Sequence, residues 1–288
     1  ALPIYQARKH MIFLQHGVMG FKQCHRTFHK SGGNRMALFV VSSEYERDII
    51  HDYFEYGRDE IIVTGLPRWD ALRDTSSLSH KEILLMPTWR SWLEYVSDET
   101  FLESEYYKNY KSLLTNPKLF ALLEQYDATL NFYIHPKFRD YIGLFEEENG
   151  KSSGRKSRVR LIPFGSEPLN KLLMSCNLLV TDYSSVAWDV YYQEKPVVFY
   201  PFDLDTYEER QDSYMDLRKE AFGPLVYRED ELLLELETYM KNNFKEEKCY
   251  KERRAYLLPL RDDKNSERIY QRIKSAKLGK KFHIRGRL

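Results

Sequence analysis

Short aliphatic runs alternate with amphipathic stretches along most of the chain, a pattern typical of βαβ units. Strands are predicted at 11–14, 37–41, 61–64, 83–86, 129–134, 159–162, 178–181 and 197–200. Helices are expected around 104–125, 137–148, 167–175 and 185–193, and again after residue 228, where Leu232, Leu233 and Leu236 recur. Because the strands are continuously aliphatic rather than alternating, they predict parallel sheets covered on both faces.

The chain is long enough for two packed units, and a polar, irregular stretch at 71–82 marks the expected boundary. We predict a first Rossmann-like unit at 1–78, a second at 79–260, and a helix with a basic tail at 261–288. Only three strands are predicted in the first unit, fewer than a Rossmann-like sheet needs. We therefore expect that unit to be incomplete and the chain to be a fragment, or a reduced form, of a longer protein.

Charge and composition narrow the classes of function. The formal charge is +1, from 44 basic and 43 acidic side chains, which disfavours a nucleic-acid partner held by phosphate contacts. Cys24, Cys176 and Cys249 form no CxxC pair, which suits a reducing compartment. No apolar run approaches the ~20 residues of a spanning helix, and residues 1–10 lack the apolar core of a secretory signal. A cytoplasmic protein is expected.

Two histidines directly follow predicted strands. Leu14-Gln15-His16-Gly17 places an imidazole beside a glycine, where a substrate can approach the backbone. Phe132-Tyr-Ile-His135-Pro136 repeats the arrangement in the second unit. An imidazole can take a proton from an attacking hydroxyl at neutral pH. Each histidine alone could equally be held by local hydrogen bonds, but two in equivalent positions favour a shared catalytic role.

The segment Thr181-Asp182-Tyr183-Ser184-Ser185 follows a buried strand and opens a helix. Ordinary helix capping would explain either serine alone, whereas the whole unit favours a phosphate site. No GxxxxGK[ST] motif is present, so a Walker-type NTPase is not supported. HExxH and DxD clusters are also absent, which argues against a metal-dependent mechanism, and no cofactor is expected.

Two further loops follow strands. In Pro87-Thr-Trp-Arg90, Arg90 could engage a phosphate and Trp89 could stack on a ring. The loop after the last strand carries Tyr207 and Arg210, and it is either a solvated surface or part of the same site.

Taken together, these motifs resemble the CDP-glycerol glycerophosphotransferases, the teichoic-acid primases and polymerases. The resemblance extends from about residue 15 to residue 273, and the ordered set is more specific than any of its pieces. It implies a GT-B-like α/β fold of two Rossmann-like units, with acceptor-side residues in 1–78 and the donor domain in 79–260. The implied donor is CDP-glycerol or a related CDP-alditol, and the implied acceptor is a lipid-linked or polymeric chain of teichoic acid or capsule.

The resemblance also implies roles for individual residues. His16 is the expected base on the acceptor hydroxyl, with Gly17 and Lys22 beside it, and His135 is expected to assist at the donor phosphate. The expected donor-site residues are Arg90, Asp182, Ser184, Ser185, Tyr207 and Arg210.

This chain departs from the family at two positions. The family commonly has Trp-His-Gly-Thr where this chain has Gln15-His16-Gly17-Val18, and usually Gly where Gln211 follows Arg210. Ribitol phosphate or another alditol therefore stays open as the transferred group. Two other functions also stay open: a GT-B glycosyltransferase using a nucleotide sugar, and a non-catalytic fragment that binds nucleotide or polymer.

The C-terminal tail is basic. It carries Lys274, Lys277, Lys280, Lys281, Arg285 and Arg287, with Phe282 and Ile284 among them. Because acceptors of the resembled family are held at the inner face of the cell membrane, we expect peripheral attachment to anionic lipid through this tail. A solvated tail is the alternative, since no amphipathic period supports an in-plane helix.

Overall fold

The computed structural model of the protein describes residues 10–32, 35–146 and 158–276. Its strands are β1 (Ile12–Phe13), β2 (Leu38–Val41), β3 (Ile61–Val63), β4 (Lys81–Leu85), β5 (Ala128–Tyr133), β6 (Val159–Ile162), β7 (Leu178–Thr181) and β8 (Val197–Phe199). Each of them coincides with a predicted strand to within about two residues, because a continuous aliphatic run is the strongest local signal for a buried strand.

The α-helices are α1 (His25–Phe28), α2 (Glu44–Phe54), α3 (Asp98–Glu103), α4 (Glu105–Thr115), α5 (Pro117–Gln125), α6 (Ile142–Glu146), α7 (Leu169–Ser175), α8 (Val186–Tyr192), α9 (Leu204–Arg210), α10 (Leu217–Glu220), α11 (Glu229–Lys241), α12 (Lys248–Leu257) and α13 (Asn265–Ser275). Short 3-10 helices lie at Pro67–Ala71, Ser91–Leu93 and Pro136–Tyr141.

The chain divides into two compact units. One consists of residues 1–71 and 255–288, and the other of residues 72–254. The sequence analysis placed the first boundary at 78 and treated 261–288 as a separate part. The structure groups α13 with the first unit because Asp70 accepts hydrogen bonds from the first backbone N–H groups of that helix, those of Asn265 and Ser266.

The sheet of the first unit is parallel, in the order β1-β2-β3. Phe39 and Val40 of β2 are fully buried, and so are Ile50 and Phe54 of α2. Ser43 caps α2, since its hydroxyl accepts from the N–H of Glu46. The Glu46 carboxylate in turn accepts from the N–H of Ser42.

The sheet of the second unit has the order β6-β5-β4-β7-β8, and all its pairings are parallel. β7 and β8 are buried along their whole length, and the core extends from β4 through Leu113, Leu123 and Leu236 of the surrounding helices. This confirms the prediction of a parallel sheet covered on both faces.

The predicted helical stretch 104–125 is two helices rather than one. α4 ends at Thr115, and Pro117 occupies the first turn of α5. Proline has no N–H to continue the first helix, and the Asn116 side chain accepts from the N–H of Lys118 to start the second.

The predicted membrane-binding tail lies almost wholly outside the described residues; only Lys274 falls within them, exposed in the last turn of α13. None of the helices between residues 10 and 276 that the structure describes is long and apolar enough to cross a bilayer.

Candidate active site

The second sheet has a switch point between β4 and β7. From β4 the chain leads to β5 and β6 on one side, and then returns to β7 and β8 on the other. Ligands of open α/β sheets bind beyond the carboxyl ends of the strands at such a point. The segments that follow these two strands are 86–90 and 182–185. They are the segments that the sequence analysis selected.

Arg90 lies at this point, fully buried between two carboxylates. Its guanidinium binds Asp203 through Nε at 2.7 Å and Nη2 at 2.9 Å, and Nη2 also lies 2.8 Å from Oδ2 of Asp182. Nη1 donates to the carbonyl of Thr88 at 2.6 Å. Burial alone would lower the pKa of Arg90, but the two carboxylates raise it well above its usual value, so the group stays charged.

Asp182 is equally buried and ties the two strand ends together. Its Oδ1 accepts from the N–H of Thr88 at 2.7 Å and from its own neighbour Tyr183 at 2.6 Å. The sequence analysis expected both Arg90 and Asp182 to contact a donor directly. With 0% exposure, both side chains lie behind the surface in this structure, where they fix the loops that form the site.

Aromatic rings enclose the Arg90 guanidinium. Its Cζ lies 4.9 Å from the Tyr183 ring centroid and 5.7 Å from that of Tyr207, and these two rings stack 3.6 Å apart. The Tyr183 hydroxyl donates to Asp203 at 3.1 Å. Burial raises the pKa of both phenols, so they stay neutral. Tyr207 therefore supports the site from within the protein, whereas the sequence analysis expected it to contact the donor directly.

Ser184 and Ser185 follow at the end of β7. Ser185 is the N-cap of α8, but its side chain makes no capping hydrogen bond. Within the described part of the chain, neither hydroxyl has a hydrogen-bond partner. Capping therefore does not account for these serines, of which Ser184 is 9% exposed and Ser185 half-buried.

His135 lies two residues after the end of β5, the strand beside β4, and is half-buried. Its Nδ1 accepts from the N–H of Lys137 at 3.2 Å, so the neutral imidazole carries its proton on Nε2. The Trp89 ring lies 6.1 Å from the imidazole, and Nζ of Lys137 lies 4.4 Å from the Trp89 ring centroid. His135 is thus held beside the segment that follows β4.

Arg210 ends α9 and is exposed. Its guanidinium carbon lies 5.2 Å from the ring centroid of Trp92. A cleft of about 280 Å³ near Trp92 is also lined by Asp203, Tyr106 and Thr206. Arg210 does not line this cleft, but its contact with Trp92 places an exposed cation beside it.

In the first unit, His16 is an exposed residue of a mostly buried loop that a buried carboxylate holds in place. Oε1 of Glu46 accepts from Nε2 of Gln15 at 2.9 Å and from the N–H of Met19 at 2.7 Å. Oε2 accepts from the N–H of Ser42 at 2.6 Å. His16 is exposed between two residues that Glu46 binds, and Gly17 is buried beside it, whereas Lys22 is exposed.

Gln15 adopts a left-handed conformation, with φ of 64°. A non-glycine residue persists there only when its surroundings fix it, and the bond to Glu46 supplies this constraint. The sequence analysis missed the role of Glu46 because its partners lie 27 and 31 residues away. The positive φ had no signal in the sequence either.

The substitution Glu46→Gln tests the role of the Glu46 carboxylate through its effect on the free energy of unfolding. An amide cannot accept at both positions, so one buried N–H loses its partner, at a cost of about 1–3 kcal/mol near pH ~5. Burial raises the pKa of Glu46 above 4.5, although the hydrogen bonds oppose this shift. The folded state then binds the proton more readily than the unfolded chain does, so protonation of Glu46 stabilises the folded state at low pH. This stabilisation is lost as pH rises through the pKa of Glu46 in the folded state.

The difference in unfolding free energy between wild type and Glu46→Gln should therefore narrow from pH ~5 to pH ~7. Urea denaturation at both pH values measures it. Glu252→Gln, a change at an exposed carboxylate, is the control and should cost less than ~0.5 kcal/mol. A difference that widens with pH would contradict the assignment.

The residues predicted for the donor side all lie in the second unit, after carboxyl ends of its strands or in the segment after β8: Arg90, His135, Asp182, Ser184, Ser185, Tyr207 and Arg210. His16, Gly17 and Lys22 lie in the first unit. The sequence analysis assigned no role to Asp203 or Tyr183, which complete the cluster around Arg90. No group of three His, Cys, Asp or Glu side chains suited to a metal ion is found among the described residues.

Comparison with known proteins gives consistent matches. The sequence family described as CDP-Glycerol:Poly(glycerophosphate) glycerophosphotransferase matches residues 5–275. The Minor teichoic acid biosynthesis protein GgaB of Bacillus subtilis (strain 168) is 30% identical over 272 residues, 91% of this chain and 29% of that protein. The Teichoic acid glycerol-phosphate transferase of Staphylococcus aureus (strain NCTC 8325 / PS 47) is 27% identical over 227 residues, 71% of this chain and 51% of that protein.

The chain therefore spans between 29% and 51% of the length of these two relatives. Among solved structures, the Wall Teichoic Acid Polymerase TagF superimposes with a TM-score of 0.68 at 19% identity, over 97% of this chain and 72% of that chain. This likeness confirms the fold, an α/β architecture of the GT-B-like class. Because the family matches nearly the whole sequence, the chain belongs to the CDP-glycerol:poly(glycerophosphate) glycerophosphotransferases.

Proposed function

We propose that the chain is the catalytic part of an enzyme that transfers glycerol phosphate from CDP-glycerol to a polymeric or lipid-linked acceptor and releases CMP. The family match over residues 5–275 carries this proposal. The geometry supports it, since unused hydroxyls, an imidazole N–H and an exposed arginine follow strand ends of one parallel sheet.

In the reaction, a terminal hydroxyl of the acceptor attacks the phosphorus that carries the glycerol. The new P–O bond forms as the bond to the CMP phosphate breaks, and CMP leaves with the electron pair. His16 takes the proton of the attacking hydroxyl. Phosphoryl transfer depends on positioning and charge stabilisation more than on covalent catalysis, so few protein groups are needed.

The donor phosphates are assigned to His135, Ser184, Ser185 and Arg210. Nε2–H of His135 and the two hydroxyls donate hydrogen bonds to phosphate oxygens, and Arg210 supplies positive charge. Arg90, Asp182 and Tyr207 are assigned to positioning, because they are buried behind these groups. Gly17 and Lys22 are assigned to the acceptor side through their place beside His16.

The paired change Ser184→Ala/Ser185→Ala should weaken CDP-glycerol binding about tenfold or more, because two donors to phosphate are lost. The free energy of unfolding should stay within ~0.5 kcal/mol, since neither hydroxyl caps a helix. Calorimetric titration and urea denaturation measure the two quantities. Unchanged donor affinity together with a stability loss of ~1 kcal/mol per serine would show that the serines are only caps.

Ser97→Ala is the matched control. The Ser97 hydroxyl does cap α3, since it accepts from the N–H of Thr100. Its removal should cost ~1 kcal/mol of stability and leave donor affinity unchanged.

The identity of the donor is tested by competitive titration with CDP-glycerol, CDP-ribitol and a UDP-sugar. The proposal predicts that CDP-glycerol binds most tightly and that the UDP-sugar competes poorly. Preference for the UDP-sugar would favour a glycosyltransferase and contradict the proposed function.

We further infer that the enzyme is attached to the inner face of the cell membrane through the basic segment from Lys274 onward. Each basic residue near anionic lipid contributes ~1 kcal/mol before screening. Co-sedimentation with anionic vesicles should decrease when the chain is truncated after Ser275, and it should weaken with added salt. Equal sedimentation of both forms would contradict this attachment.

A further inference from the structure

The first unit contains a second cleft, of about 650 Å³, away from the His16 loop. Ile61 and Val63 of β3 and the adjacent Thr64 form one side of it, while residues of α2 and α13 form the others. Clefts of ~300–1,000 Å³ are of the size that binds small ligands or polymer segments. None of its lining residues belongs to the catalytic or donor site described above.

The lining of this cleft is basic. Five basic side chains face two acidic ones, an excess of three positive charges: Arg47, Arg58, Lys264, Arg268 and Arg272 against Glu44 and Glu267. Lys264 and Arg272 are exposed and form no ion pair with any residue that the structure describes. Nε of Arg47 is buried and likewise lacks a partner in the described ranges. Arg47, Arg58 and Arg268 are paired with Glu44, Asp48 and Asp262, respectively. The unpaired positive charge that the cleft offers is therefore that of Lys264 and Arg272.

The helix α13, which forms one side of the cleft, is held firmly against the rest of the first unit. Asp70 binds the N-terminus of α13 through the backbone N–H groups of Asn265 and Ser266, at 2.9 and 2.7 Å. Nε of Arg268 donates to the carbonyl of Thr64 at 2.9 Å. Gly65, with φ of 77°, leaves room for Asn265, whose Oδ1 would lie 1.9 Å from a Cβ at that position. The basic side chains on α13 are therefore presented from a fixed element.

These basic residues form a regular row. Lys264, Arg268 and Arg272 follow each other at intervals of four residues, so they share one face of α13 with an axial spacing of ~6 Å. This spacing is of the same order as the separation of neighbouring phosphates in a chain with three-carbon linkers. A row of cations in a concave cleft suits a linear polyanion better than a single compact anion.

The cleft also reaches the edge of the sheet that carries the His16 loop. β1 and β3 are parallel, so the His16 loop and Thr64 follow the same edge, separated by the width of β2, about 10 Å between β1 and β3. We propose that this basic cleft binds internal phosphodiesters of the polyol-phosphate acceptor chain while its terminal hydroxyl reaches His16. The choice of this polyanion depends on the proposed function.

Calorimetric titration without any donor tests this inference, so its result does not depend on turnover. The probes are a synthetic oligomer of several glycerol phosphate units and glycerol 3-phosphate itself. Wild type should bind the oligomer much more tightly than the monomer, with an affinity that falls as salt rises. Lys264→Glu/Arg272→Glu should weaken oligomer binding at least ~10-fold through lost attraction and added repulsion.

Lys118→Glu/Lys241→Glu is the control, since it makes the same change of net charge at exposed residues of α5 and α11. It should leave oligomer affinity within about twofold of wild type. Denaturation of the Lys264→Glu/Arg272→Glu variant should show wild-type stability, because both side chains are exposed. Oligomer binding that is absent, or equal in the two double variants, would overturn the proposal. So would a loss confined to binding of anionic vesicles, which would make the surface a membrane contact.

Discussion

Turnover should fall about 10²–10⁴-fold when His16 is replaced by alanine, because the acceptor hydroxyl then loses its general base. Affinity for CDP-glycerol should stay within about twofold, since His16 is assigned to the acceptor and the donor groups lie in the second unit. CMP release under saturating donor measures the first quantity and calorimetry measures the second.

His80→Ala is the control for this change. His80 is exposed and precedes β4, at the opposite end of the strand from the donor site, so turnover should be unchanged. A His16→Ala enzyme that keeps more than about a tenth of wild-type turnover would leave His16 with a structural role only.

Arg90→Ala should be the most destabilising single change, at about 3–5 kcal/mol, because it leaves two buried carboxylates without their cation. Asp182 and Asp203 are 0% and 8% exposed, so water cannot replace the guanidinium without opening the core. Arg90→Lys keeps the charge but loses the bidentate contact with Asp203, and its loss should be intermediate. Urea denaturation with tryptophan fluorescence follows unfolding.

Arg160→Ala removes a surface arginine that pairs with Glu167 at 2.7 Å and is the matched control. An exposed ion pair of this kind contributes less than ~1 kcal/mol. If Arg90→Ala and Arg160→Ala destabilise the protein equally, the cluster around Arg90 does not hold the strand ends as described.

The strands were predictable from the sequence because each buried strand is a continuous aliphatic run. Local capping was predictable in part. Serine is a preferred N-cap residue, and Ser43 caps α2. The Glu46 carboxylate, however, binds the His16 loop, which a local motif cannot reveal. The break at Pro117 also had a local signal, which the helical periodicity on both sides obscured.

The roles of individual site residues were harder to predict than the strands and caps, because they depend on long-range contacts. An arginine after a strand end is a reasonable phosphate ligand until Asp203, 113 residues away, is found to bind it. The same holds for α13, which joins the first unit through Asp70, 195 residues earlier in the chain. The sequence singled out the segments that follow β4 and β7, whereas the division between exposed and buried residues in them required the structure.

The central claim is tested most directly by incubating the chain with CDP-glycerol and a panel of polyol-phosphate acceptors, and by measuring CMP together with the mass of the product. The acceptor should gain glycerol phosphate units in equal number to the CMP released, and His16→Ala should lower both about 10²–10⁴-fold. An acceptor that gains a sugar from a UDP-sugar donor would contradict the claim. So would CMP release that never exceeds the His16→Ala level with any acceptor.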